Sequence, residues 1–125
     1  MMAWLVVLLL ISPLTALDQN LCDLSYCSCQ DTVARCEGNY QEEILLSPTS
    51  LPHGVTSLTL STLRSLHVKT NAFKEQAELI LDNISNIRLD SFIFSETEYE
   101  GFLRTFEMNN VKDLNLLEDT FRKGF

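Results

Sequence analysis

The sequence predicts a stacked solenoid, mainly β or α/β, rather than a domain closed around one central core. Three observations predict it. An eleven-residue apolar pattern occurs three times, all four cysteines crowd into residues 22–36, and an unbroken apolar run, Ala3 to Ile11, precedes them. Self-similarity at a period of about 20–50 residues marks units that cannot bury their apolar edges alone and so bury them on one another.

Residues 1–16 read as a secretory signal peptide. The run from Ala3 to Ile11 has the length of a signal-peptide core and is too short to span a bilayer, which needs roughly 20 apolar residues. Ser12, Pro13 and the small residues Thr15 and Ala16 follow it, which places cleavage after Ala16. No second run approaches membrane length, so the mature chain is expected to be secreted or extracellular, with no membrane segment. Residues 17–54 then form a disulfide-bonded cap and residues 55–125 the solenoid. A net charge of −8 argues against nucleic acid, whose phosphates call for a basic surface. With 46% apolar residues, four Gly and three Pro, the chain is not a disordered linker.

The cysteines are Cys22, Cys27, Cys29 and Cys36. In an oxidising compartment an even number at close spacing means disulfides. A Cys27–Cys29 bond would close a very tight ring, against ordinary disulfide geometry. Two pairings remain open on that ground: Cys22–Cys29 with Cys27–Cys36, or Cys22–Cys27 with Cys29–Cys36. A zinc site is not expected, since the spacing lacks the paired Cys-x2-4-Cys knuckles of most structural sites.

The first copy of the repeat is Leu58-x-Leu60-x-x-Leu63-x-x-Leu66-x-Val68. The second is Leu79-x-Leu81-x-x-Ile84-x-x-Ile87-x-Leu89, and the third is Phe106-x-Met108-x-x-Val111-x-x-Leu114-x-Leu116. Alternation such as Leu66-x-Val68 predicts a short strand with one inward and one outward face. Three such strands stacked in parallel make one sheet. The pattern continues to Asn71-x-Phe73, Phe92-x-Phe94 and Asp119-x-Phe121. In this the chain resembles the extracellular leucine-rich repeat family, with its motif L-x-x-L-x-L-x-x-N-x-L/F, over roughly residues 22–125.

The resemblance implies a concave parallel sheet, a disulfide cap pairing Cys22–Cys29 and Cys27–Cys36, and a phenylalanine spine of Phe73, Phe94 and Phe121. It also implies that an asparagine satisfies the backbone where the chain leaves each strand. Asn71 can do so and Asp119 in part, but Phe92 cannot, so an irregular turn or a bound water is expected in the middle coil. Leu58-x-Leu60, Leu79-x-Leu81 and Phe106-x-Met108 suggest a second short strand per coil. The alternative architecture is therefore a parallel β-helix-like coil with two strands per turn. Ser95-x-x-Glu98 is a capping box, and Tyr99, Phe102, Leu103 and Phe106 fall at helical spacing, which predicts a short helix in the longer coil. Lys74 to Glu78 could form a helical turn in the coil before it.

On the concave face the resemblance puts Arg64, His67, Lys69, Arg88, Asp90, Asn115 and Leu117 outward, with His67 and Arg88 stacked beside Asn115. A mixed polar surface suits a protein partner. No strained nucleophile turn, Gly-rich phosphate loop or His–Glu metal motif is present, so no enzyme, metal or cofactor is expected. His67 and Asp90 are expected to form a structural pair. Asn83-Ile84-Ser85 is an N-glycosylation sequon, and its use requires Asn83 to face outward.

Three functions are consistent with these features. They are an extracellular protein-binding module, the capped N-terminal part of a longer solenoid, and a small disulfide-stapled inhibitor or ligand acting through the cysteine region. The chain stops at Phe125, mid-coil and without a terminal cap, so Leu114, Leu116 and Phe121 are expected to expose their stacking edge and permit association there.

Overall fold

The computed structural model describes residues 20–94 and 103–121. The expected signal peptide, residues 1–16, and the expected helix start at Ser95 lie outside them. The chain is a mainly β, parallel solenoid of about three turns with a disulfide cluster at its N-terminal end. Six strands form one sheet: β1 Cys27–Gln30, β2 Val33–Glu37, β3 Glu43–Leu46, β4 Ser57–Val68, β5 Glu78–Leu89 and β6 Thr105–Leu116. The order is β1-β2-β4-β5-β6, with β3 also on β4, and every pairing is parallel except β1 with β2.

Each long strand is two limbs joined by a corner. Both limbs alternate buried and outward residues, as in Leu58 and Leu60, then Leu66 and Val68. Between them one residue takes a left-handed backbone: Thr62 (φ 56°), Asn83 (φ 53°) and Asn110 (φ 55°). That conformation turns the chain without breaking the ladder, because the neighbouring rungs turn at the same place. The two-strand alternation therefore belongs to one ladder per turn, bent at its middle.

A second corner follows each long strand at Asn71 (φ 63°), Phe92 (φ 54°) and Asp119 (φ 61°). The irregularity expected at Phe92 is absent. Its N–H donates to the Asp119 carbonyl at 3.0 Å, and its own carbonyl accepts from Asn71 N–H at 2.8 Å. Rung-to-rung bonding imposes the turn whatever side chain sits there. Asn71 is exposed, so backbone conformation, not a buried amide, is what the three positions share. Lys74, Glu75 and Ala77 are bends rather than a helical turn, and Glu78 already opens β5. The Gln76 side chain organises that bend. Only 2% exposed, it accepts from Lys74 N–H at 3.0 Å and donates to the Val55 carbonyl at 2.7 Å.

The core is the inward column of every rung. Leu58, Leu60, Leu63, Leu66 and Val68 stack on Leu79, Leu81, Ile84, Ile87 and Leu89, all essentially inaccessible. Complete burial of one such side chain is worth about 1.5–3 kcal/mol. Phe73 and Phe94 join this core with ring centroids 5.6 Å apart. Phe121, the third ring of the expected spine, instead meets Phe106 edge-on at 5.4 Å and stays 39% exposed. Phe106 itself lies in β6, not in a helix.

Beneath β4 the sheet carries a rung split in two. β2 pairs with the first limb of β4 (Ala34 with Leu58, Cys36 with Leu60), and β3 pairs with the second (Ile44 with Leu66, Leu46 with Val68). Part of the segment 17–54 thus belongs to the solenoid ladder as well as to the cap. β1 covers β2 antiparallel through a tight turn at Asp31 and Thr32, and Cys27–Cys36 ties opposite residues of that hairpin. Cys22–Cys29 ties on the short 3₁₀ turn Leu21–Asp23, completing the pairing that the family resemblance implies.

Candidate functional site

The outward side chains of the second limbs form three rows across the sheet. Glu43, Ser65, Asn86 and Asp113 are in register, as are Leu45, His67, Arg88 and Asn115. Lys69, Asp90 and Leu117 occupy the next position along: their N–H groups donate to Leu46, Val68 and Leu89 in turn. The structure therefore gathers His67, Lys69, Arg88, Asp90, Asn115 and Leu117 on one surface. Ser65, His67, Asn86, Arg88, Asp113 and Asn115 line a shallow depression along it, with Leu114 at its edge.

Asp90 is the centre of this face. Its Oδ1 lies 2.9 Å from His67 Nε2 and 3.4 Å from Arg88 Nε. One carboxylate on the strand-end turn thus holds side chains from two adjacent rungs. Asp90 is mostly buried, with 17% of its side chain exposed, His67 is 32% exposed and Arg88 55%, so the carboxylate orients the imidazole from a sheltered position while its contact with the guanidinium is screened by solvent. The expected His67–Asp90 pair is present, with Arg88 added to it.

Arg64 stands nearer the corner, where it faces Glu43 at 3.5 Å, both well exposed. It extends the surface along the sheet but does not line the depression. Beyond the third row, Thr70 Oγ1 donates to the Ser91 carbonyl at 2.7 Å, and Ser91 Oγ donates to the Glu118 carbonyl. This hydroxyl ladder braces the turns under the charged rows.

Two outward side chains on this face are apolar and accessible, Leu45 (42%) and Leu117 (39%), while Leu114, on the inward column, is accessible (44%) at the open edge of β6. Leu45 escaped the sequence reading because the split rung has an irregular spacing. Cys36 to Ile44 is two residues longer than Leu60 to Leu66, so no eleven-residue copy appears there. The alternation Ala34-x-Cys36 and Ile44-x-Leu46 was the available signal.

Asn83 sits at the first corner, partly exposed, in a depression it shares with Tyr40, Ser85, Asn110 and Lys112. Among the described residues no helix is long and apolar enough to cross a membrane, and no three His, Cys, Asp or Glu side chains gather as metal ligands do. The two disulfides accord with an oxidising compartment. Compared with protein-family models, curated proteins and solved structures, the chain shows no match.

Proposed function

We propose that this protein is a secreted, non-catalytic module that binds another protein through the outward rows of its second limbs, in the manner of an extracellular leucine-rich repeat sheet. The observation that carries this reading is the Asp90 clamp. It presents His67 and Arg88 in fixed orientation between accessible aliphatic residues, Leu45 at one end and Leu117 at the other. Pre-oriented charge flanked by exposed apolar side chains is what a partner can exploit without ordering flexible groups first. Arg88 is the anchor, since guanidinium is enriched at binding hot spots.

The test is a screen of the tetramerised, oxidised protein against purified extracellular domains. Binding should fall at least about tenfold in Arg88→Glu and Leu117→Asp. It should not change in Arg35→Glu, which alters an exposed residue of the cap. Loss with the cap variant alone would instead favour the disulfide-stapled inhibitor reading and reject the sheet face.

A second reading, the capped N-terminal part of a longer solenoid, is favoured by the accessible edge of β6, where Leu114 and Leu116 are nearly half exposed. We further propose that Asn83 carries an N-linked glycan. Expression in a secreting host should give a glycosidase-sensitive mass shift that Ser85→Ala abolishes, a change that leaves Asn83 and its left-handed backbone in place. An identical mass with and without Ser85 would reject it.

A further inference from the structure

The free edge of β6 carries information about what can cover it. Among the described residues β6 pairs only with β5, and its inward side chains Leu114 and Leu116 remain 44% and 45% exposed. The apolar pattern on this strand is a palindrome. Phe106, Met108, Val111, Leu114 and Leu116 are spaced two, three, three and two residues apart, the same from either end. A strand with that spacing is complementary to a reversed copy of itself.

We propose that β6 pairs antiparallel with β6 of a second copy of this chain, about a two-fold axis at Val111. In that register Phe106 lies opposite Leu116 of the second copy and Met108 opposite its Leu114, while Val111 meets Val111. Every inward side chain then faces an inward one, and because the corner at Asn110 falls opposite Lys112 rather than its own copy, the pairing runs along the two limbs and is interrupted between them. A shift by one residue would set apolar side chains against outward polar ones, which fixes the register.

Backbone polarity selects the same register independently. Leu117 N–H donates to Leu89 and Thr105 N–H donates to Ala77, both on the β5 side. Alternate residues of a strand turn their N–H and C=O to opposite edges, so Leu114, Leu116, Phe106 and Met108 present theirs to the free edge. Antiparallel strands exchange both bonds between directly opposed residues that point at each other. The pairs Phe106–Leu116 and Met108–Leu114 satisfy that condition.

Charge agrees as well. Just outside the strand ends, Arg104 falls opposite Glu118 of the second copy, and both are exposed. Glu107 faces Asn115, Asp113 faces Asn109 and Lys112 faces Asn110, so no like charges meet across the strands. Head-to-tail stacking into filaments is blocked on one limb, because β1 covers β2 antiparallel at the opposite end of the sheet. A two-fold contact uses the β6 edge of both copies, so the assembly closes as a dimer. The two-fold uses the edge of β6 and leaves the His67–Asp90–Arg88 face free, so it stands apart from the binding function proposed above.

Sedimentation equilibrium of the oxidised full chain tests this directly. The wild type should be a reversible dimer below about 100 µM. Leu116→Lys, an accessible position, should weaken it at least about tenfold with its melting temperature retained in dilute solution. Arg104→Glu and Glu118→Arg should each weaken the dimer several-fold, and the double reversal should restore it. Amides of Leu114 and Leu116 should resist hydrogen exchange only at dimer concentrations, whereas Leu117 should resist it at both. A wild type that stays monomeric, a dimer indifferent to Leu116→Lys, larger open assemblies, or a double reversal no better than the single ones would each overturn the proposal.

Discussion

The left-handed corner residues are the least expected single positions in this chain, and they separate local preference from imposed conformation. Asn83, Asn110, Asn71 and Asp119 are the residue types that tolerate positive φ; Thr62 and Phe92 are not. A β-branched residue there carries a cost of about 1–2 kcal/mol that asparagine largely avoids. Thr62→Asn should therefore stabilise the protein by about 1 kcal/mol and raise the melting temperature by a few degrees. An unchanged or lower midpoint would mean that the Thr62 side chain supplies packing that offsets its backbone. Gln76 poses the opposite case, a buried polar residue that is fully used. Gln76→Leu preserves volume but strips the partner from the Val55 carbonyl and from Lys74 N–H. It should cost about 2–3 kcal/mol in denaturant titrations, more than an isosteric swap at an apolar position. Neither position was legible beforehand: a corner needs the rung register to be known, and a buried glutamine looks like any surface glutamine in a polar stretch.

At the level of elements, the three long rungs were legible because each repeats one apolar spacing, and spacing is what stacking selects. The split rung was not, because a loop between β2 and β3 interrupts its spacing. That loop has its own chemistry. Gly38 lies where a Cβ would come within 2.8 Å of the Thr62 carbonyl, so only glycine permits this approach to the β4 corner. The Glu42 carboxylate accepts from Asn39 N–H at 2.7 Å and from Gln41 N–H at 3.3 Å. Those bonds, led by the one from Asn39, hold its pKa below the ordinary glutamate value. A lowered folded-state pKa means stability that is present above the unfolded value and lost as pH falls through the folded one. Glu42→Gln should accordingly flatten the acid limb of the stability profile by lowering neutral stability toward the acid value, a small change in both because the group is solvent-exposed. An acid limb identical to wild type would show that the carboxylate contributes nothing to the loop. The outward rows of the proposed binding face were legible as positions, since strand alternation assigns them. The sharing of Asp90 between His67 and Arg88 was legible only in half, because it depends on how a turn residue leans back over two rungs.

Over the whole molecule, stability should be distributed along the stack rather than pooled. Each rung touches only its neighbours, so a side chain with rungs on both sides is worth more than the same position with one. Leu81 and Met108 make the comparison directly, since they occupy one column on adjacent strands. Leu81 lies between Leu60 and Met108 and is 2% exposed. Met108 has Leu81 beneath it and remains partly exposed on the other side. Leu81→Ala leaves a cavity closed above and below and should cost about 2–5 kcal/mol. Met108→Ala removes contacts from one side only and should cost nearer 1 kcal/mol. The two should differ in kind as well. Leu81→Ala interrupts the column between β4 and β6, and should lower the midpoint of the entire unfolding transition. Met108→Ala should loosen β6 first, so that its amides exchange faster while those of β4 keep their wild-type protection. Both measurements belong in dilute solution, where no second chain covers β6. Equal costs with uniform loss of protection would mean that the rungs share one cooperative core, and nearest-neighbour stacking would then fail as the account of why this sequence folds.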